Sequence, residues 1–192
     1  MNYLMSTQSL KDTFNSLSTE VLINNVPQQA VITMAHLGMQ SKRHLHSLEP
    51  FNQGDYVVFN EETYLVVEDV INPRGVKYKA TIEYCNYKAQ TPDFVERVLV
   101  GVDPDTKKPI YEEITTPGIY FMSIIKQDNI SIVNGAFRLN TSQFTMTAPN
   151  NAELDKNLKL NNEIVVYDRK FKIVNINKLR TGLLEVTLEK TS

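Results

Sequence analysis

The segment VVFNEETYLVVEDV, Val57 to Val70, returns roughly a hundred residues later as VVYDRKFKIVNI, Val165 to Ile176. Around each copy the order of parts is the same. DYVVF turns through Asn60-Glu61-Glu62-Thr63 into TYLVVEDV, and INPRG leads to VKYKATIEYCNY. NEIVVY turns through Asp168-Arg169-Lys170 into FKIVNI, and NKLRTG leads to LLEVTLEK. This grammar sets Phe59 beside Tyr167, Tyr64 beside Phe171 and Gly75 beside Gly182, the glycines supplying the positive φ of a tight turn. In the closing strands Tyr78, Ala80, Ile82 and Tyr84 alternate with Lys77, Lys79, Thr81 and Glu83, and Leu184, Val186 and Leu188 alternate with Glu185, Thr187 and Glu189. A period of two describes a sheet with one face in the core and one in water.

A three-stranded meander is marginal until its apolar face is covered. Either each copy anchors its own small barrel or both pack into one sandwich. The segments between them are also strand-like. ERVLVGVDPDTKKPIYEEIT reads as a hairpin about Asp103-Pro104-Asp105-Thr106, and Asn134-Gly135 is a hairpin turn between ISIV and AFRL. EVLINN and QQAVITMA form another about Asn24-Asn25-Val26-Pro27. The expected fold is mainly β: two small barrel or sandwich-like lobes built on the repeated meander, with a short N-terminal helix or arm. The divisions expected are an arm at 1–19, a first lobe at 20–95, an extended hairpin connector at 96–118 and a second lobe at 119–192.

Ser6 to Ser18 is the strongest helix candidate and no second one stands out; Ser6, Thr7 or Ser9 caps it, and Leu10, Phe14 and Leu17 fall on one face. Gln40 to Pro50 is polar and reads as a loop, presenting the basic cluster Lys42, Arg43, His44 and His46. The first copy carries a further signal. Tyr64, Val66 and Val70 are apolar on one parity, Leu65 and Val67 on the other, so either another layer of the chain or a partner covers the second face.

Chemistry is harder to find. With 192 residues the chain buries a real core, and its 42% hydrophobic content is that of a folded protein. A net charge of -2 gives no global attraction to nucleic acid or anionic membrane. The single cysteine, Cys85, has no internal partner and sits on the polar parity of its strand. No apolar run approaches the roughly 20 residues that span a bilayer, and the N-terminus lacks a signal-peptide pattern, so a soluble, cytoplasmic chain is expected. His44 and His46 share a face if extended, with His36 a distant third, but no H-E-x-x-H or C-x-x-C spacing supports a metal. VDPDTKKP is ordinary turn chemistry, and no nucleophile elbow, P-loop or dinucleotide fingerprint is present. No enzyme activity, cofactor or metal is expected.

At GDYVVFNEETYLVVEDV and RGVKYKATIEYCN the sequence resembles small β proteins of tailed phages and prophages of Gram-positive bacteria, the head-tail connector or head-closure proteins of the neck. The ending FKIVNINKLRTGLLEVTLE is also similar to such virion proteins. Gly54, Asp55 and Gly75 match the pattern, while Asn161-Asn162-Glu163 replaces Gly-Asp in the second copy. The resemblance implies a non-enzymatic β-barrel subunit of the virion, assembled in the host cytoplasm. Its partners would be copies of itself in a ring, a portal or adaptor protein, and tail terminator or tail proteins. It also implies loops that line the DNA channel, and the Gln40–Pro50 loop is the segment expected to face DNA or the portal, with Lys42 and Arg43 touching phosphates without reading bases. The attachment devices expected are the N-terminal arm with Leu10, Phe14 and Leu17, and the 98–114 hairpin tipped by Lys107-Lys108. Competing readings are a soluble β module that binds a peptide along an edge strand, and a tail or baseplate structural protein.

Overall fold

The computed structural model describes residues 7–35, 41–73, 76–127, 130–133, 136–139 and 143–191. Helix α1 (Thr7–Leu17) precedes β1 (Thr19–Ile23), β2 (Val26–Met34), β3 (Lys42–Ser47), β4 (Tyr56–Phe59), β5 (Glu62–Val66) and β6 (Tyr78–Tyr84). These six strands close a barrel in the order β1-β2-β3-β6-β5-β4, with Leu22 and Ile23 of β1 paired to Val58 and Val57 of β4. Then follow β7 (Tyr87–Gln90), β8 (Phe94–Val102), β9 (Pro109–Thr116), β10 (Tyr120–Gln127), β11 (Ile130–Val133), β12 (Ala136–Leu139) and β13 (Gln143–Pro149). Helix α2 (Ala152–Asn157) and β14 (Glu163–Val166), β15 (Arg169–Asn177) and β16 (Leu183–Lys190) complete the chain. The second sheet runs β14-β15-β16-β13-β10-β7, so each lobe is one meander plus three further strands in equivalent order.

The second barrel is nearly closed, and a side chain bridges its gap. Tyr87 of β7 donates its hydroxyl to Val165 O at 3.4 Å and accepts from Tyr167 N at 3.0 Å. The chain is therefore mainly β with two barrels and a short N-terminal helix, as the repeat suggests. The crossover between sheets falls at Cys85-Asn86, so β7 belongs to the second sheet. The Asn86 side chain imitates a strand residue there: Nδ2 donates to Ile125 O and Oδ1 accepts from Ile125 N, both at 2.8 Å.

The turns explain the register. Asn24-Asn25 (φ 48 and 66), Asn60-Glu61 (51 and 65) and Tyr167-Asp168 (49 and 60) each place two residues at positive φ. Such turns match the twist of the strands they join. Because Phe59 pairs with Glu62 and Val166 with Arg169, Phe59 corresponds to Val166, and Tyr167 occupies the turn position of Asn60. That corrects the Phe59–Tyr167 match by one residue, while Tyr64 and Phe171 do correspond. The substituted start of the second copy keeps its geometry. Gly54 (φ 89) donates its N–H to Val66 O at 2.9 Å, and Asn161 (φ 70) donates its own to Ile173 O at 2.9 Å. Asparagine is among the few residues that adopt this region readily.

Each barrel has its own core. Val21, Leu45, Val57, Tyr64, Val66 and Ile82 fill the first, and Met146, Ile164, Phe171, Ile173, Val186 and Leu188 the second. A third cluster joins them: Leu65, Val67 and Cys85 of the first lobe bury against Ile124 and Leu183 of the second, beside Tyr56 and Met122. The second face of the first meander is thus covered from within, and it is not the docking surface that a partner would take.

Polar links surround this seam. Tyr56 donates to Met122 O at 2.5 Å, Lys126 pairs with Glu83 at 2.7 Å, and Arg180 donates to Val67 O. Thr81 and Glu83 are buried, which corrects the expectation that this face of β6 meets water. Thr81 donates to Glu68 at 2.5 Å. Cys85 is also buried, and burial pushes its thiol up to about 12. At the seam's edge a Cβ on Gly54 would stand 1.9 Å from Gly182 O, and one on Gly182 2.0 Å from Gln53 O. Gly182 has φ 75, as a tight turn needs; Arg74, Gly75 and the Asn134-Gly135 turn lie outside the described residues.

A second helix, α2, is an element the sequence reading did not single out. Asn151 caps it by accepting from Leu154 N at 2.8 Å, and Leu154 is buried in the second core.

Candidate assembly surface

Among the described residues strands β8 and β9 pair only with each other, in register from Phe94↔Thr116 to Val102↔Pro109, with a bulge near Val100. Every described side chain of the two strands is exposed. Val95, Val98, Leu99, Val100, Val102, Ile110, Tyr111 and Ile114 have exposures from 39% to 59%. A two-stranded ribbon with aliphatic side chains on both faces is marginal in water, and large apolar patches of this kind mark interaction sites. The tip is closed by its own hydrogen bonds. The Asp103 carboxylate accepts from Asp105 N at 2.9 Å and Thr106 N at 3.1 Å, which lowers its pKa, and Lys107 sits at φ 56 beside Lys108. Both lysines are exposed.

Lys42, Arg43, His44 and His46 lie on strand β3 in the closed barrel, between β2 and β6, rather than on a loop. Leu45 and Ser47, buried completely, draw this polar segment into the sheet. Alternation then parts the cluster. Arg43 takes the inward parity at one mouth of the barrel, where its guanidinium lies 5.6 Å from the Tyr64 ring centre and 5.8 Å from that of Phe59. Its Nε donates to the Tyr64 hydroxyl at 3.0 Å, which in turn donates to Glu62 at 2.5 Å. Lys42, Glu62, Met34, Ser41 and Tyr84 complete the rim of a cavity of about 460 Å³.

His44 and His46 do share the outer face, with ring centres 6.5 Å apart. Burial, then Lys77 and Lys79, push His46 down to about 4. Among the described residues no group of three His, Cys, Asp or Glu side chains is placed to hold a metal ion, and His36 lies outside them.

Helix α1 lies against β2. Phe14, half-buried, and Leu17, 67% exposed, line an apolar groove with Val31, Thr33, His46, Leu48 and Val76 on the barrel's outer face. Part of the apolar face of the expected arm is thus spent on its own lobe. The Leu10 side chain lies outside the described residues. Among those residues no helix is long and apolar enough to cross a membrane.

Two family models match the chain in tandem: the YomX N-terminal domain over residues 2–84 and the YomX C-terminal domain over residues 101–189. The chain carries the YomX domain pair. YomX is a phage-derived family of the SPbeta prophage type, so this is a phage-associated protein. The YomX N-terminal domain ends at Tyr84, the last residue of the closed barrel, and the YomX C-terminal domain opens within β8. No curated protein and no solved structure matches the chain.

Proposed function

We propose that the chain is a non-enzymatic structural protein of the virion, a ring subunit of the head-tail interface that docks between a portal or adaptor and the tail. The β8–β9 ribbon carries this reading: an exposed arm, aliphatic on both faces and projecting from two barrels that already satisfy one another. A chain that needed only to fold would not keep eight large apolar side chains in water along one ribbon. A phage-derived family and a barrel fold agree with this setting. The two lobes form the body, and the arm reaches a neighbour. The test is a phage whose chain has residues 95–115 replaced by a short Gly-Ser link. Both barrels stay folded by circular dichroism and thermal melting, while particles lack joined heads and tails. Normal particles from this variant would overturn the reading.

A further inference from the structure

The two faces of the arm differ in charge. Residues paired across the ribbon share a face, which groups Glu96, Val98, Ile110, Glu112 and Ile114 on one side and Val95, Arg97, Leu99, Tyr111 and Glu113 on the other. On the second side Arg97 neutralises Glu113 at 2.7 Å. On the first, neither Glu96 nor Glu112 has an ion-pair partner among the described residues. That face therefore offers three aliphatic side chains and two unpaired carboxylates.

The mouth of the first barrel offers the converse. Arg43 is held in place by its ring contacts and its Nε bond, and no hydrogen bond engages its two Nη groups among the described residues. A guanidinium fixed in this way presents a ready fork to a carboxylate. Lys42 stands 3.9 Å from Glu83, whose nearer partner is Lys126 at 2.7 Å, so Lys42 makes the longer of the two ion pairs. Glu62 is the one rim carboxylate among the lining residues, and it already accepts from Tyr64. Met34, 68% exposed, and Tyr84, 39% exposed, add apolar surface beside the two cations.

Resting on the assembly reading above, we propose that the acidic face of the arm of one copy seats on the barrel mouth of the next copy. Glu112 and Glu96 meet Arg43 and Lys42, and Val98, Ile110 and Ile114 cover Met34 and Tyr84. The arm's own barrel is not the receptor. The arm is rooted where Thr91 and Ile119 exchange bonds, at the far end of β7 from Tyr84, and its side chains remain exposed in the single chain. Different patches meeting in this way give head-to-tail contacts, which close into a ring when the rotation allows. One ribbon face, two strands about 4.8 Å apart and roughly 26 Å long, covers on the order of 250 Å². A stable pair needs about 800 Å² per partner, so this contact is weak in isolation and accumulates around a ring.

Chemical cross-linking suits such a contact. Full-length Glu112→Cys and Lys42→Cys proteins, mixed at high concentration with a short bis-maleimide, should give several-fold more cross-linked dimer than Glu113→Cys mixed with Lys42→Cys. In a parallel arm Glu112→Lys and Lys42→Glu each lower self-association about tenfold by sedimentation, and an equimolar mixture restores it. Equal cross-linking from the two faces, or no restoration in the mixture, overturns the contact. Should that occur while the arm-replaced phage still fails to join heads and tails, the assembly reading stands without this contact. Should the cross-link form while that phage assembles normally, the contact stands and the assembly reading falls.

Discussion

The two meanders have the same turns and strand order, yet one is apolar on both faces and the other on one. Their equivalent positions show why. Leu65 and Val67 lie in the seam between lobes, whereas their counterparts Lys172 and Val174 face outward and are exposed. Tyr56 bonds across the seam to Met122, whereas its counterpart Glu163 pairs with Lys170 at 3.3 Å on the surface. Gly54 meets Gly182 backbone to backbone, whereas Asn161 carries a side chain at the same turn. Two-sided greasiness in this chain is the mark of a lobe interface, whereas the apolar side chains of the arm stay exposed in the single chain.

The comparison breaks first at the glycines. Gly54→Ala puts a methyl group into Gly182 O at positive φ, and the cost should be about 4 kcal/mol, read as a drop in melting temperature of both lobes. Asn161→Ala at the equivalent turn, with φ 70, should cost only about 1 kcal/mol. Equal losses at the two positions would deny the close approach of Gly54 and Gly182.

Next come the outward strand positions. Leu65→Ala should cost about 3 kcal/mol in denaturant melts, since Leu65 is fully buried, while Lys172→Ala should stay within about 0.5 kcal/mol. Leu65→Ala should also speed the reaction of Cys85 with thiol reagents, because that thiol shares the seam.

A smaller effect sharpens the contrast between the outer faces. His46 has its pKa lowered from 6.5 to about 4, so the unfolded chain binds a proton that the folded one refuses. The stability it supports is full above about 6.5 and lost as pH falls toward about 4. After discounting for the part of the ring that water screens, the loss is about 1 kcal/mol across that window. His46→Gln should flatten the dependence in melts at stepped pH, and an unchanged slope would reject it. Smallest of all, Asn161→Gly should raise stability of the second lobe by about 0.5 kcal/mol by giving it the glycine of the first.

Local rules made much of this fold legible. Asn24-Asn25 and Asn60-Glu61 announced turns, and alternation in LLEVTLEK placed Leu184, Val186 and Leu188 inward, where they are buried. Pairing across long distances was less visible. KRHLHS reads as a loop because only Leu45 is apolar, yet closure of the barrel between β2 and β6 makes it a strand. Thr81, Glu83 and Cys85 look solvent-facing by parity but are buried, Glu83 beside Lys126 and Cys85 against Ile124 and Leu183 of the second lobe. Helix α2 is too short for a helical period, although Asn151 followed by Glu153 and Asp155 carried its start signal. As for the site, the hairpin about Asp103 was readable, and so was its lysine tip. Its exposure was not, because exposure depends on what the rest of the chain leaves uncovered.

Electron cryo-microscopy of the intact phage particle would show where the chain sits and what its arm touches. The chain should stand in a ring between head and tail, with Val98, Ile110 and Ile114 of each β8–β9 arm buried against a neighbouring subunit. An arm standing free in solvent in every copy, with the lobes alone making the contacts, would contradict it.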